Sequence, residues 1–215
     1  GRGNRVYNNT SSGIATVYAS VLVSGNTVYG QSGSGDIGIS IQGGQAGQNV
    51  VFGNYRGIHA YGSSTVTANR VYNNAEVGIY ADYGLSAVLG NTVYGNSVGI
   101  QGHLYNGGTI ANNLVYANSN QGILVSRNVN STAITNNTIY QPVGDAIKLQ
   151  NAANVRLRNN ILWVSAGYDL NIDSASQVGF QSDYNDLSTT EPGKLALWGA
   201  REFTSWVDWF YELGQ

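Results

Sequence analysis

The side chains in this sequence with the most chemical potential are its two histidines, His59 and His103, with the tyrosines, carboxylates and cations near them. Imidazole changes protonation near neutral pH and serves as general acid or base. His59 precedes Tyr61 by two residues, Tyr80 precedes Asp82 by two, and Gln101 precedes His103 by two. An alternating pattern of this kind puts both members of each pair on one face of a strand. A His–Tyr–Asp set suits removal of a proton beside a carboxylate, and Asp82 is placed to orient His103 and raise its basicity. Arg127 and Lys148 are positioned to neutralise the carboxylate of an acidic ligand.

The positioning elements follow from a repeat. Asn-x-Val-Tyr-x-Asn, or a close variant, begins at Asn4, Asn26, Asn49, Asn69, Asn91, Asn113, Asn137 and Asn160, at steps of 22, 23, 20, 22, 22, 24 and 23 residues. A Gly-Ile pair follows: Gly13-Ile14, Gly38-Ile39, Gly57-Ile58, Gly78-Ile79, Gly99-Ile100 and Gly122-Ile123, degrading to Ala146-Ile147 and Asp169-Leu170. A small or apolar residue stands three positions before most of the leading Asn residues, as Val23, Ala46, Val66, Val88, Ile110, Ile134 and Leu157. Each unit therefore holds three short β-branched segments separated by Gly, Asn and Ser. One unit cannot close a core, but stacked units bury each Val and Ile column. The expected fold is all-β: a right-handed parallel β-helix, a solenoid with three strands per ~22-residue coil and about eight to nine coils. Asn at each corner carries both donor and acceptor, which suits a ladder up the stack. The column Tyr7, Tyr29, Phe52, Tyr72, Tyr94, Tyr116, Tyr140, Trp163 is read first as a structural stack and second as a platform for sugar rings.

Stacking assigns two outward columns on the strand after Gly-Ile. One runs Ala15, Ser40, His59, Tyr80, Gln101, Leu124, Lys148, Asn171; the next runs Val17, Gln42, Tyr61, Asp82, His103, Ser126, Gln150, Asp173. From these come the expected catalytic candidates His103, His59, Tyr80 and Asp82. The expected substrate contacts are Tyr61, Gln101, Arg127, Lys148, Gln150 and Asp173.

Composition narrows the partners. Of 215 residues only 10% are charged, the net charge is −2 and there is no cysteine. Phosphate recognition needs clustered Lys and Arg, so nucleic acid is not expected. No apolar run reaches the length of a membrane span. Thiolate metal sites and disulfides are excluded, and no carboxylate cluster gathers enough oxygens for calcium, so neither metal nor other cofactor is expected. Gly33-Ser34-Gly35 lacks a phosphate-loop lysine and reads as a turn.

The repeat from residue 4 to about 175 resembles those of the pectate-lyase-like right-handed β-helix superfamily, most closely those of secreted polysaccharide C5-epimerases, polysaccharide lyases and related surface proteins. The resemblance implies an acidic polysaccharide partner and a secreted or cell-surface, bacterial setting. In the epimerases a strand Tyr-Gly-Phe-Asp-Pro-His-Asp holds the catalytic groups. Here it reads Val98-Gly99-Ile100-Gln101-Gly102-His103-Leu104, which keeps the His and replaces both Asp, the Pro and the Tyr. The expectation is a β-helix module of a larger protein whose polar and aromatic stripe contacts carbohydrate. The alternative is a lyase or epimerase using His and Tyr for proton transfer. The opening inside a repeat adds the expectation of a longer chain, or of a partner over that end.

The repeat fades after about Gln177. The expected domains are thus a β-helix over 1–177 and a capping segment over 178–215. Phe203, Trp206, Val207, Phe210 and Leu213 predict an amphipathic helix over about 200–213 that seals the last coil, with Gly214 as its stop.

Overall fold

A computed structural model describes residues 3–17, 20–84, 86–103, 107–128 and 130–214. The chain winds as a parallel β-solenoid of three sheets. Sheet 1 stacks the Val-Tyr strands, from Arg5–Tyr7 to Asp186–Thr189. Sheet 2 stacks the Gly-Ile strands, from Ser12–Thr16 to Lys194–Trp198. Sheet 3 stacks the strands that precede each leading Asn, from Leu22–Ser24 to Gln181–Asp183. Register is kept from coil to coil: Val71 pairs with Val51 and Val93, Ile79 with Ile58 and Ile100, and Val88 with Val66 and Ile110. These columns form the core, and Val71, Ile79, Val66 and Ile110 are fully buried.

The corners explain the Asn and Gly content. A left-handed residue stands immediately before each ladder Asn from Asn26 onward, among them Gly25, Gln48, Ala68, Gly90 and Asn112. Gly and Asn occupy that backbone region at least cost. The chain then turns inward, and the buried amide that follows closes the polar accounting. Asn69 donates from its backbone N (2.9 Å) and from Nδ2 (3.0 Å) to Oδ1 of Asn91, which repeats both bonds to Asn113 at 2.9 and 3.0 Å. A second ladder runs through Asn54, Asn74, Asn96 and Asn118 on the other side of sheet 1, with Gln31 and Gln141 at its ends.

The Gly of each Gly-Ile pair answers to space. A Cβ on Gly57 would lie 2.4 Å from the Gly78 carbonyl oxygen and 2.7 Å from Val71 Cγ1. Glycine is needed there because successive coils approach closely, whatever the local φ.

Asp169 holds the degraded Gly position of the eighth unit and is fully buried. Neither carboxylate oxygen makes a hydrogen bond of normal geometry. Burial pushes its pKa up to about 9; the Ser188 N–H pulls the other way and Asp186 adds to the rise. The folded state therefore holds a proton that the unfolded state releases above the ordinary value of 3.8. Asp169 subtracts stability as pH rises from that value, and the loss levels off once the folded group also ionises. Asp169→Asn removes the need to hold the proton. It is expected to raise stability at pH 8 by several kcal/mol, about ten degrees in Tm, with the gain vanishing below pH ~4. Thermal unfolding of both proteins across pH checks this, and a pH-independent difference contradicts it.

The solenoid extends past residue 177. Asn185 adds a rung to the first ladder, accepting from Asn160 N at 3.0 Å and Nδ2 at 2.9 Å, and Leu187 takes the Val slot opposite Leu162. The repeat is disguised there because its step lengthens to 25 residues. The helix is also shorter than the sequence suggests. Arg201–Phe203 is a strand antiparallel to Lys194–Trp198, and α1 spans Trp206–Leu213, capped by Ser205 and ended by left-handed Gly214. Its buried anchor is Trp209, set edge-on against Trp198 and Phe203 at 5.6 and 5.4 Å. The expected apolar face was misjudged, since Trp206, Val207 and Phe210 are exposed.

Candidate functional site

Outward residues of sheet 2 stack as the repeat implies. Tyr80 pairs in register with His59 and Gln101, and Asp82 with Tyr61 and His103. Three consecutive strands, Arg56–Tyr61, Val77–Asp82 and Val98–His103, thus bring both histidines, Tyr80 and Asp82 into one cluster. The His59 ring stacks on Tyr80 at 4.9 Å and 21°. The Tyr80 hydroxyl and His103 Nδ1 lie 2.6 Å apart. The Asp82 carboxylate sits between the imidazoles, 3.8 Å from His59 Nε2 and 3.8 Å from His103 Nδ1.

The electrostatics define protonation states. Burial lowers both imidazoles from their ordinary value; Asp82 opposes this in each, while Arg56 at His59 and Arg127 at His103 add to it. Burial, then the Asp82 charge, push Tyr80 up to about 12. Near neutral pH the phenol is therefore protonated and both imidazoles are neutral. One hydrogen bond joins the Tyr80 hydroxyl oxygen and His103 Nδ1, its direction set by the imidazole tautomer, and the same hydroxyl faces Asp82. The Asp82 charge favours protonation of His103, as expected, but the carboxylate makes no hydrogen bond to Nδ1, which is held by Tyr80.

Polar satisfaction is incomplete at this face. His59 Nε2, Asp82 Oδ1 and Ser126 Oγ are buried atoms without a hydrogen-bond partner among the described residues. Ser126 follows His103 in register.

The surrounding residues divide into two groups. Tyr61 flanks His59 edge-on at 6.2 Å and meets Tyr83 at 5.4 Å, giving a half-exposed aromatic pair beside the cluster. Gln101 lies next to Tyr80, and Arg127 is close enough for its charge to act on both Tyr80 and His103. Lys148 and Gln150 sit two rungs beyond Gln101 and His103, about 10 Å along the solenoid. Asp173 stands apart from the cluster and has a structural role. It caps the 3-10 helix Ser174–Gln177, accepting from Ser176 N and Oγ, and it accepts from Asn151 N. Leu104, and with it most of the Leu104–Gly108 turn, lies outside the described residues.

Arg56 was missed by sequence reasoning. Its guanidinium lies 5.6 Å from the Tyr80 ring centre and pairs with Glu76. The available signal was its place three residues before His59 on the same strand. The Gly33–Asp36 turn is closed by its own carboxylate, Asp36 accepting from Gly33 N and Ser11 N.

The tyrosine column behaves as a structural stack. From Tyr7 to Tyr116 successive rings lie 4.8–5.2 Å apart and within 9° of parallel. Both faces of an interior ring are covered by its neighbours, so only edges meet solvent, and a sugar cannot lie flat on them.

No three His, Cys, Asp or Glu residues group as metal ligands among the described residues. A family model described as "Right handed beta helix region" matches residues 1–98 and 84–185. No curated protein and no solved structure matches the chain significantly.

Proposed function

Since the chain belongs to the family of right-handed β-helix regions, whose scaffold leaves function to the residues on its surface, we propose that it is a carbohydrate-contacting module whose sheet 2 face binds an acidic polysaccharide. One observation carries the reading. Unpartnered buried polar atoms occur elsewhere singly, at Thr16, Gln31, Asn118 and Asp169, but among the described residues those of His59 Nε2, Asp82 Oδ1 and Ser126 Oγ gather on neighbouring rungs of one outward patch. Unpaired buried polar atoms of that kind are a cost the fold carries, and such groups gather at functional sites. Tyr61 and Tyr83 offer ring faces at the margin, and Arg127 offers a cation for a uronate carboxylate. A stripe along a solenoid matches an extended polymer, and the natural setting of such a module is a larger secreted or cell-surface protein.

Binding to alginate, pectate and glycosaminoglycans, measured by calorimetry, tests this. At least one polyuronate is expected to bind, with Arg127→Ala and Tyr61→Ala each weakening it about tenfold, about 1.4 kcal/mol. Absence of binding to every acidic glycan, or variants that bind unchanged, overturns the proposal.

The Tyr80–His103 hydrogen bond favours a second reading, in which the bound polymer is also turned over. Neutral His59 is placed to take the C5 proton as base, with Arg127 stabilising the charge that develops on the carboxylate. The Tyr80 hydroxyl turns from His103 Nδ1 to give its proton to the departing C4 oxygen, completing β-elimination; if the same proton is given to the opposite face of C5 instead, the product is the epimer. Unsaturated ends detected by ultraviolet absorbance, or deuterium incorporated at C5, support turnover if Tyr80→Phe abolishes it. Neither signal, with binding intact, leaves the module as a binder.

A further inference from the structure

We infer that the cleft between α1 and the last coil is a second ligand site, which takes a short uncharged oligosaccharide. It does not rest on the sheet 2 reading. The cleft has a volume of about 800 Å³, within the range of small-molecule sites. Trp206 and Phe210, four residues apart on one side of α1, line it from the helix, and Tyr184 lines it from the coil. These rings are 65%, 53% and 75% exposed. They are not needed to hold the helix in place, because Trp209 is the buried anchor. Three large exposed aromatics around one concavity is a feature that folding does not require and ligand binding does. A ring face is electron-rich, and it attracts the electropositive C–H face of a pyranose.

The charges fix the class of sugar. Arg156 and Arg158 line the cleft together with Asp183 and Asp186, two cations against two anions. Arg158 and Asp183 neutralise each other directly at 3.0 Å. A balanced lining gives no net attraction to a uronate or a phosphate, while planar guanidinium and carboxylate groups make paired hydrogen bonds to neighbouring hydroxyls. A peptide strand is a poorer fit, because the open edge at the cleft, Gln181–Asp183, is only three residues long.

Short cello-, xylo-, malto- and chito-oligosaccharides, titrated while tryptophan fluorescence and binding heat are read, test the site. At least one series is expected to bind saturably. Trp206→Ala is expected to weaken that binding at least tenfold with Tm unchanged, and Phe210→Ala to weaken it less. If none binds, or if Trp206→Ala binds as well as the parent, the inference fails. It fails also if oligogalacturonate binds as tightly and with the same dependence on Trp206, which makes the ligand acidic. Self-association lost on Trp206→Ala, read by sedimentation, makes the cleft a protein interface and overturns it too.

Discussion

Asn91→Ala is expected to destabilise the protein by about 4 kcal/mol or more, lowering Tm by about 10 °C. Oδ1 of Asn91 accepts both the backbone N–H and the Nδ2–H of Asn69. Its own Nδ2 donates to Asn113 Oδ1, to the Val66 carbonyl at 3.0 Å and to the Leu89 carbonyl at 3.2 Å. Alanine removes all five bonds, strands the buried backbone N–H of Asn69 and leaves a cavity, while Asn69 Nδ2 keeps the Ala46 and Thr67 carbonyls. Each stranded buried group costs about 1–3 kcal/mol, so the sum exceeds an ordinary surface substitution by a wide margin. Asn9→Ala provides the contrast. Asn9 is exposed near the first coil, and its side chain only donates to the Tyr7 carbonyl. Its loss is expected to cost under about 1 kcal/mol. Denaturant unfolding of both variants measures the difference, and equal costs contradict the ladder as a source of stability.

Gly78→Ala is expected to cost about 3 kcal/mol, although one methyl group is all that is added. The new Cβ would meet the Gly99 carbonyl oxygen at 2.7 Å, Asn96 Nδ2 at 2.8 Å and Val93 Cγ1 at 2.8 Å. None of the three can yield: the first is sheet backbone, the second a rung of the second ladder and the third a buried core residue. Gly90→Ala separates crowding from backbone strain. Gly90 is left-handed at φ 62°, and an added Cβ there meets nothing within 4 Å, so only the conformational cost of about 1–2 kcal/mol remains. Chemical denaturation ranks the pair, and a smaller cost at Gly78 than at Gly90 rules out close approach of the coils as the reason for the Gly column.

The solenoid was legible because its repeat is a physical requirement written many times. Val and Ile recur where stacked strands bury them, and Asn recurs where a buried corner needs both donor and acceptor. The neighbours of the candidate site were legible for the same reason: register alone places Tyr80 beside His59 and Asp82 beside His103. Which atoms bond was not legible. The Tyr80–His103 contact runs diagonally between columns and depends on side-chain torsions that spacing does not encode. Asp173 shows a related limit. As one carboxylate in an outward column it resembled a ligand contact, but the short helix after it takes its oxygens as a cap. Asn185 was hidden by a longer step, and α1 by the preceding strand, which carries Phe203 into the core from sheet 2.

We propose the His59–Tyr80–Asp82–His103 patch as the place where an acidic glycan binds. The chain has two histidines, and both are in that patch, so its imidazole nitrogen spectrum reports on the site without mutation. Titration with alginate or pectate oligosaccharides is predicted to shift the Nε2 signal of His59 and both ring signals of His103 along saturating curves. Imidazole signals that stay fixed while binding is registered elsewhere on the molecule rule out this patch as the binding site.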